Sequence, residues 1–256
     1  MALLELRNVS KFFGSLAALE NINLEINQGE LVGLVGPNGS GKTTLFNVVS
    51  GFLRSSKGEI IYDGRRITGL RPDKIASMGL ARTFQSNIFY GDATVMENVI
   101  RGCYLQAKTN SWQTFFGTRS YRKEEGEIVQ RAKEVLGFLG LSEVRDSLAG
   151  DLPHGYQRLL GLAIAMAANP KLLLLDEPAT GMNDEERQMI TARIGEVAKL
   201  GITILLVEHH VKTVITLCPR LVVLDFGHKL ADGKPEEVTS QKEVIEAYLG
   251  VEEVAE

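Results

Sequence analysis

The stretch Gly36-Pro37-Asn38-Gly39-Ser40-Gly41-Lys42-Thr43-Thr44 constrains this chain more than any other. It fits Gly-x-x-x-x-Gly-Lys-Thr, the Walker A phosphate loop. Glycines let the backbone curl until its N–H groups converge on phosphate oxygens. Lys42 places a point charge on the β and γ phosphates, and the Thr43 hydroxyl suits Mg²⁺. A helix beginning near Lys42 adds the positive end of its dipole. The context agrees: the apolar run Leu31-Val32-Gly33-Leu34-Val35 precedes the loop, and Leu45 to Ser50 reads as a helix stopped by Gly51. A strand, a phosphate loop and a helix in that order predict an α/β fold that binds Mg-ATP.

Two kinds of strand pattern surround the loop. In Leu19 to Ile26, Ile22, Leu24 and Ile26 alternate with polar residues, as in an antiparallel sheet with one wet face. Gly58-Glu59-Ile60-Ile61-Tyr62-Asp63-Gly64 reads as a short strand ending in a turn. Leu31 to Val35, Leu172 to Leu175 and Ile202 to Val207 are apolar throughout, as parallel strands covered on both faces are. Further along, Ile128, Ala132, Val135, Leu136 and Leu139 share one helical stripe opposite Glu127, Gln130, Arg131 and Lys133. The expected fold is a P-loop parallel-sheet core with an antiparallel β arm and a helical lobe. Residues 1–256 form one domain, with core and arm over about 1–85 and 161–256 and the lobe over about 86–160.

Composition removes other classes. The net charge of −4 lacks the basic excess of a nucleic-acid binder. Cys103 and Cys218 are too few for a disulfide framework or a metal cluster, and read as reduced thiols. Met1 to Arg7 does not resemble a signal peptide. The longest apolar run, within Leu159 to Ala168, is half the roughly 20 residues a bilayer crossing needs, so a membrane role requires a partner.

The apolar strands end in chemistry. Leu172 to Leu175 delivers Asp176-Glu177, and two adjacent acids at the end of a buried strand need a counter-charge. Mg²⁺ supplies one: Asp176 holds it through water and Glu177 acts as general base on the attacking water. Ile202 to Val207 ends in Glu208-His209-His210. Ligands of open parallel sheets bind outside the carboxyl ends of the strands, which points His209 at the γ-phosphate. His210 reads as incidental.

Together these residues resemble the ATP-binding cassette (ABC) ATPases over essentially the whole chain. The resemblance assigns Gln85, in Ala81-Arg82-Thr83-Phe84-Gln85, to the loop that senses Mg²⁺ and the attacking water and faces a membrane subunit. It makes Asp176 the Walker B acid, Glu177 the catalytic base and His209 the switch histidine. It makes Ala179 to Asn183 the D-loop, and Phe13 the aromatic that stacks on adenine, against a core role for Phe12 and Phe13. Leu152-Pro153-His154-Gly155-Tyr156-Gln157-Arg158 occupies the signature-loop position, with Pro153 where the common form has serine and His154 where it has glycine. No serine hydroxyl is available there, but Gly155 and the following helix N-terminus can offer N–H groups to a partner's nucleotide.

Leu152 to Arg158, Asp176 to Asn183, Arg82 to Gln85 and the closing Ala247-Tyr248-Leu249-Gly250 resemble the branched-chain amino-acid importer ATPases. The aromatics Trp112, Phe115, Phe116 and Tyr121 also fit that branch, as a packing cluster or a partner site. Urea-importer and lipopolysaccharide-exporter ATPases share several of these marks, and a soluble iron–sulfur assembly ATPase is the non-transport alternative. The resemblance implies ATP and Mg²⁺ as cofactors, hydrophobic permease subunits, a second cassette of the same or a paralogous chain, a solute-binding protein acting indirectly, and no nucleic acid. It places the chain in the cytoplasm, peripheral on the inner face of the cell membrane.

Overall fold

The computed structural model describes residues 2–83, 89–104, 119–208 and 210–252, with side chains left aside at 119–121 and 249–252. Gln85, His209, Trp112, Phe115 and Phe116 therefore lie outside the described residues, as does the side chain of Tyr121.

Two sheets carry the fold. β1 (Ala2–Phe13), β2 (Leu16–Asn27), β4 (Lys57–Tyr62) and β5 (Arg65–Arg66) form an antiparallel arm in the order β2-β1-β4-β5. In β2, Ile22, Leu24 and Ile26 are buried and Asn21, Asn23 and Glu25 exposed, the alternation the sequence shows. The second sheet joins β3 (Leu31–Val35), β6 (Leu80–Arg82), β7 (Leu172–Asp176), β8 (Thr203–Val207), β9 (Arg220–Asp225) and β10 (His228–Gly233). Its order is β10-β9-β3-β8-β7-β6, parallel except for β10, which returns antiparallel on β9.

β3, β7 and β8 are buried at every position. Alternate residues enter different cores: Leu172 and Leu174 join the core beneath the arm, with Phe46 and Tyr62, while Leu173 and Leu175 join the core shared with the helices. A strand with two buried faces therefore shows no polar alternation.

The helices are α1 (Lys42–Val49), α2 (Pro72–Ser77), α3 (Val95–Cys103), α4 (Arg119–Leu139), α5 (His154–Ala167), α6 (Asp184–Lys199), α7 (Val211–Leu217), α8 (Pro235–Thr239) and α9 (Lys242–Glu252). α3, α4 and α5 pack on one another. The stripe Ile128, Ala132, Val135, Leu136 and Leu139 is buried among them. Arg131 departs from the solvent side the sequence gives it: its Nε donates to Ala167 O at 2.9 Å and its Nη2 to Met166 O at 3.4 Å. These are the open carbonyls at the end of α5, where a cation is favoured. α5 runs continuously through residue 160, because its apolar residues span both the lobe and the side of the sheet.

Candidate functional site

The phosphate loop leaves β3 and turns into α1. Two of its glycines are fixed by backbone neighbours. A Cβ on Gly36 would stand 2.0 Å from Leu224 O, and one on Gly41, at φ 108°, would stand 2.7 Å from Ala18 O. The loop is laced to its surroundings: Ser40 N–H donates to Pro37 O at 3.2 Å, Gly227 N–H to Ser40 O at 3.0 Å, and Glu20 N–H to Gly227 O at 2.8 Å. The first amides of α1 have no earlier turn to bond and face outward from the helix start. Thr43 is exposed there and Thr44 half-buried.

Lys42 is buried, and its Nζ donates to Gly36 O at 2.7 Å and Pro37 O at 2.8 Å. Burial lowers the lysine's pKa, while the charges of Glu177 and Asp176 act against that shift. The lysine and both acids therefore share one electrostatic environment.

Asp176 closes β7 with its side chain 3% exposed. Its Oδ2 accepts from Arg82 Nη2 at 2.8 Å, and its backbone N–H donates to Thr83 Oγ1 at 3.3 Å. Its Oδ1 is buried with no hydrogen-bond partner among the described residues. Glu177 is buried in a left-handed conformation, φ 49°. Its N–H donates to Val207 O at 2.9 Å, and its Oε2 accepts from Thr180 Oγ1 at 3.2 Å. Left-handed backbone is uncommon for a residue with a Cβ and marks a constrained site.

The open carboxylate oxygen is the observation that fits Mg²⁺. Mg²⁺ usually keeps several waters and takes one or two carboxylates with substrate phosphates. A protein cage is therefore unnecessary, and among the described residues no cluster of three or more His, Cys, Asp or Glu forms one.

Phe13, at the end of β1, is 47% exposed, which removes it from the core. The Lys11 ammonium stands 4.9 Å from its ring centroid. Phe12 is half-buried, with Lys57 Nζ 5.6 Å from its ring centroid.

Gly155 lies in the first turn of α5, between exposed His154 and Tyr156. Its N–H donates to Glu186 Oε1 at 3.3 Å. Glu186 belongs to the capping box of α6, in which the Asn183 side chain accepts from Glu186 N–H. Asparagine caps a helix as well as aspartate does, so Asn183 gives α6 a full N-cap. Gly181 approaches the signature loop closely: a Cβ there would stand 3.7 Å from His154 Cε1.

Several residues that sequence reasoning left without a role also sit here. Glu208 is buried after β8, and its Oε1 accepts the Ala179 N–H at 2.8 Å, tying down the D-loop. An acid directly after an apolar strand was the available signal, as for Asp176. Burial lowers the pKa of Arg158 on α5, with Glu208 and Glu177 opposing the shift. Tyr248 on α9 packs against the helical core; burial pushes its hydroxyl up to about 12, opposed by a hydrogen bond with the Gly36 backbone.

A groove of about 340 Å³ opens beside this crevice, between α2 and α5, with Phe52, Arg82, Thr83 and Asp176 in its lining.

The family model described as ABC transporter matches residues 19–180, and the model described as branched-chain amino acid ATP-binding cassette transporter matches residues 228–254. The chain is 39% identical to the high-affinity branched-chain amino acid transport ATP-binding protein LivG of Escherichia coli, covering 97% of this chain and 98% of that protein. It is 37% identical to BraF of Pseudomonas aeruginosa, with the same coverage. Among solved structures, the ADP conformation of MJ1267, an ATP-binding cassette of an ABC transporter, superposes with a TM-score of 0.85 at 33% identity over 98% of this chain and 99% of that one. A nucleotide-free ABC cassette gives 0.83 at 32% identity over 97% and 99%.

Proposed function

The chain belongs to the ABC transporter family, and from that premise we propose that it is the ATP-hydrolysing subunit of a membrane importer for branched-chain or related amino acids. The branched-chain model over residues 228–254 supports the substrate class, since it covers the segment with Ala247 to Gly250. The crevice supports the chemistry: the phosphate loop, the open oxygen of Asp176 and the constrained Glu177 meet around Lys42.

We assign the roles as follows. Backbone amides of residues 36–44 and Lys42 hold the phosphates, and Phe13 stacks on adenine. Mg²⁺, when bound, would neutralise charge on the phosphate oxygens; Thr43, Gln85 and, through water, Asp176 would hold it. Glu177 accepts a proton from the water that attacks the γ-phosphorus as the bond to the ADP oxygen breaks. His209 contacts the γ-phosphate. Positioning and charge stabilisation supply most of the catalysis.

Gly155 acts on a second cassette's nucleotide. Because its N–H is donated to Glu186 here, closure of two cassettes exchanges that acceptor for a phosphate oxygen. The second cassette is the same or a paralogous chain. Among the described residues no helix is long and apolar enough to cross a membrane. The relatives are ATP-binding proteins of transporters, and on that likeness we place the chain peripherally on the cytoplasmic face, held by permease subunits. The groove is lined by Arg82 and Thr83, which precede Gln85 in the chain, and we place the permease contact there.

The test is purification of the tagged chain from its source membranes in mild detergent. Two hydrophobic permease chains, a second cassette and a solute-binding protein are expected, and the ligand of the binding protein names the substrate. Recovery of soluble partners alone sinks the importer reading.

A further inference from the structure

Arg82 ends β6, in parallel register with Leu174 of β7, and its side chain is 7% exposed. The two arms of its guanidinium go to different elements. Nη2 donates to Asp176 Oδ2 at 2.8 Å. Nη1 donates to Asn47 Oδ1 at 2.7 Å and to Ser50 Oγ at 3.1 Å. Asn47 lies on α1, the helix that opens with Lys42, and Ser50 is its C-terminal cap. The rings of Phe46 and Phe52 flank the guanidinium, 5.6 and 5.9 Å from its central carbon. Packing and hydrogen bonds together leave this side chain one position.

The consequence falls on Asp176. Arg82 takes one carboxylate oxygen and leaves the other, Oδ1, buried and without a partner among the described residues. A buried open acceptor is costly unless something is meant to fill it. We infer that Arg82 is a positioning residue: it presents one oxygen of Asp176 to the hydrated Mg²⁺ of the nucleotide complex and ties that carboxylate to the phosphate-loop helix. This rests on the Mg-ATP reading of the crevice.

The residue type follows from the task. A planar fork serves two acceptors in fixed directions, whereas an ammonium on a flexible stem does not reproduce that geometry. With Arg82 removed, Oδ2 loses its donor as well and the carboxylate is free to turn. Mg²⁺ demands near-ideal octahedral geometry and keeps several waters that a fixed carboxylate can position, while Ca²⁺ accepts looser shells. Loss of Arg82 therefore harms Mg²⁺ more than Ca²⁺.

The experiment follows binding of a fluorescent ADP analogue to the full chain in EDTA, then titrates Mg²⁺ or Ca²⁺. In Arg82→Met the Mg²⁺ midpoint is expected to rise about 10–100-fold, the usual effect of removing a partner of a metal ligand. The Ca²⁺ midpoint rises less, and affinity in EDTA stays the same within about twofold. Arg82→Lys keeps the charge and loses the fork, so its Mg²⁺ midpoint rises by a smaller factor; that variant carries the test if Arg82→Met does not fold. Mg²⁺ and Ca²⁺ midpoints that match the parent in a folded variant, even with a lower melting temperature, make Arg82 a structural buttress and overturn the inference. If the parent chain gains no affinity from Mg²⁺, the Mg-ATP reading itself fails, and the parent titration shows this before any variant is made.

Discussion

At the end of β7, Asp176 and Glu177 are buried, and each is held by backbone and side chain together. At the start of α5, Gly155 donates its N–H to Glu186 Oε1 at 3.3 Å, between two exposed neighbours. The first region is finished within one chain, because central strands leave their end residues no room to move. The second is a helix N-terminus whose amides want an anion and whose present acceptor is a half-buried side-chain carboxylate of the next helix. The two halves fit a composite site in which one chain brings a rigid catalytic end and the other brings an adaptable cap.

The rigid half breaks most sharply at Glu177. Glu177→Gln keeps the shape and removes the proton acceptor. Turnover is expected to fall by about 10²–10⁴-fold, the usual worth of a positioned general base. ATP affinity is expected to persist, since the phosphate loop is untouched. Steady-state phosphate release and equilibrium ATP binding on the same protein check this, and near-parental turnover would remove Glu177 from the role.

Lys42→Ala acts on binding instead. A charge-assisted hydrogen bond is worth about 1.5–3 kcal/mol, so ATP affinity is expected to weaken about 10–150-fold. A nucleotide titration reads it directly, and unchanged affinity would remove Lys42 from the phosphates.

The same difference governs what the sequence reveals. The all-apolar runs at Leu31, Leu172 and Thr203 become central parallel strands, and the alternation at Ile22 to Ile26 becomes the arm, because each pattern is local and follows from which faces are covered. The chain order also puts Asp176 and Glu177 at a strand end. The partners of these residues are another matter. Arg82 reaches Asp176 from 94 positions away, and Glu208 reaches Ala179 from 29. Tyr248 comes to Gly36 from the far end of the chain. No local period encodes such contacts; they exist only once β6, β7 and β8 lie side by side. Arg131 is the reverse lesson. Its place on the polar side of α4 is legible, but its bonds to the end of α5 depend on where a second helix stops.

Two glycines sharpen the contrast with the smallest expected effect. Gly41 sits at φ 108°, and an added Cβ would press on the Ala18 carbonyl, part of the backbone of β2. Nothing there can swing away. Gly41→Ala is expected to cost about 1–3 kcal/mol from the backbone conformation alone, with the contact adding to it. Gly155 has no positive φ: an added Cβ would stand 2.9 Å from Glu186 Oε1 and 3.3 Å from its Cδ and Cγ, so the Glu186 side chain must shift and its capping bond to the Asn183 N–H with it. Gly155→Ala should therefore cost at most about 1 kcal/mol, the typical worth of a disturbed helix cap. Its larger cost should appear when two cassettes close, because the methyl stands where Gly155 is to meet a partner's phosphate. Denaturant unfolding of both variants, beside size-exclusion chromatography of Glu177→Gln with and without Gly155→Ala in ATP, separates the cases. Loss of ATP-driven pairing without a large loss of stability supports an adaptable cap. A large stability loss in Gly155→Ala would mean that the signature loop is held as rigidly as the phosphate loop, and the division between the two halves would fail.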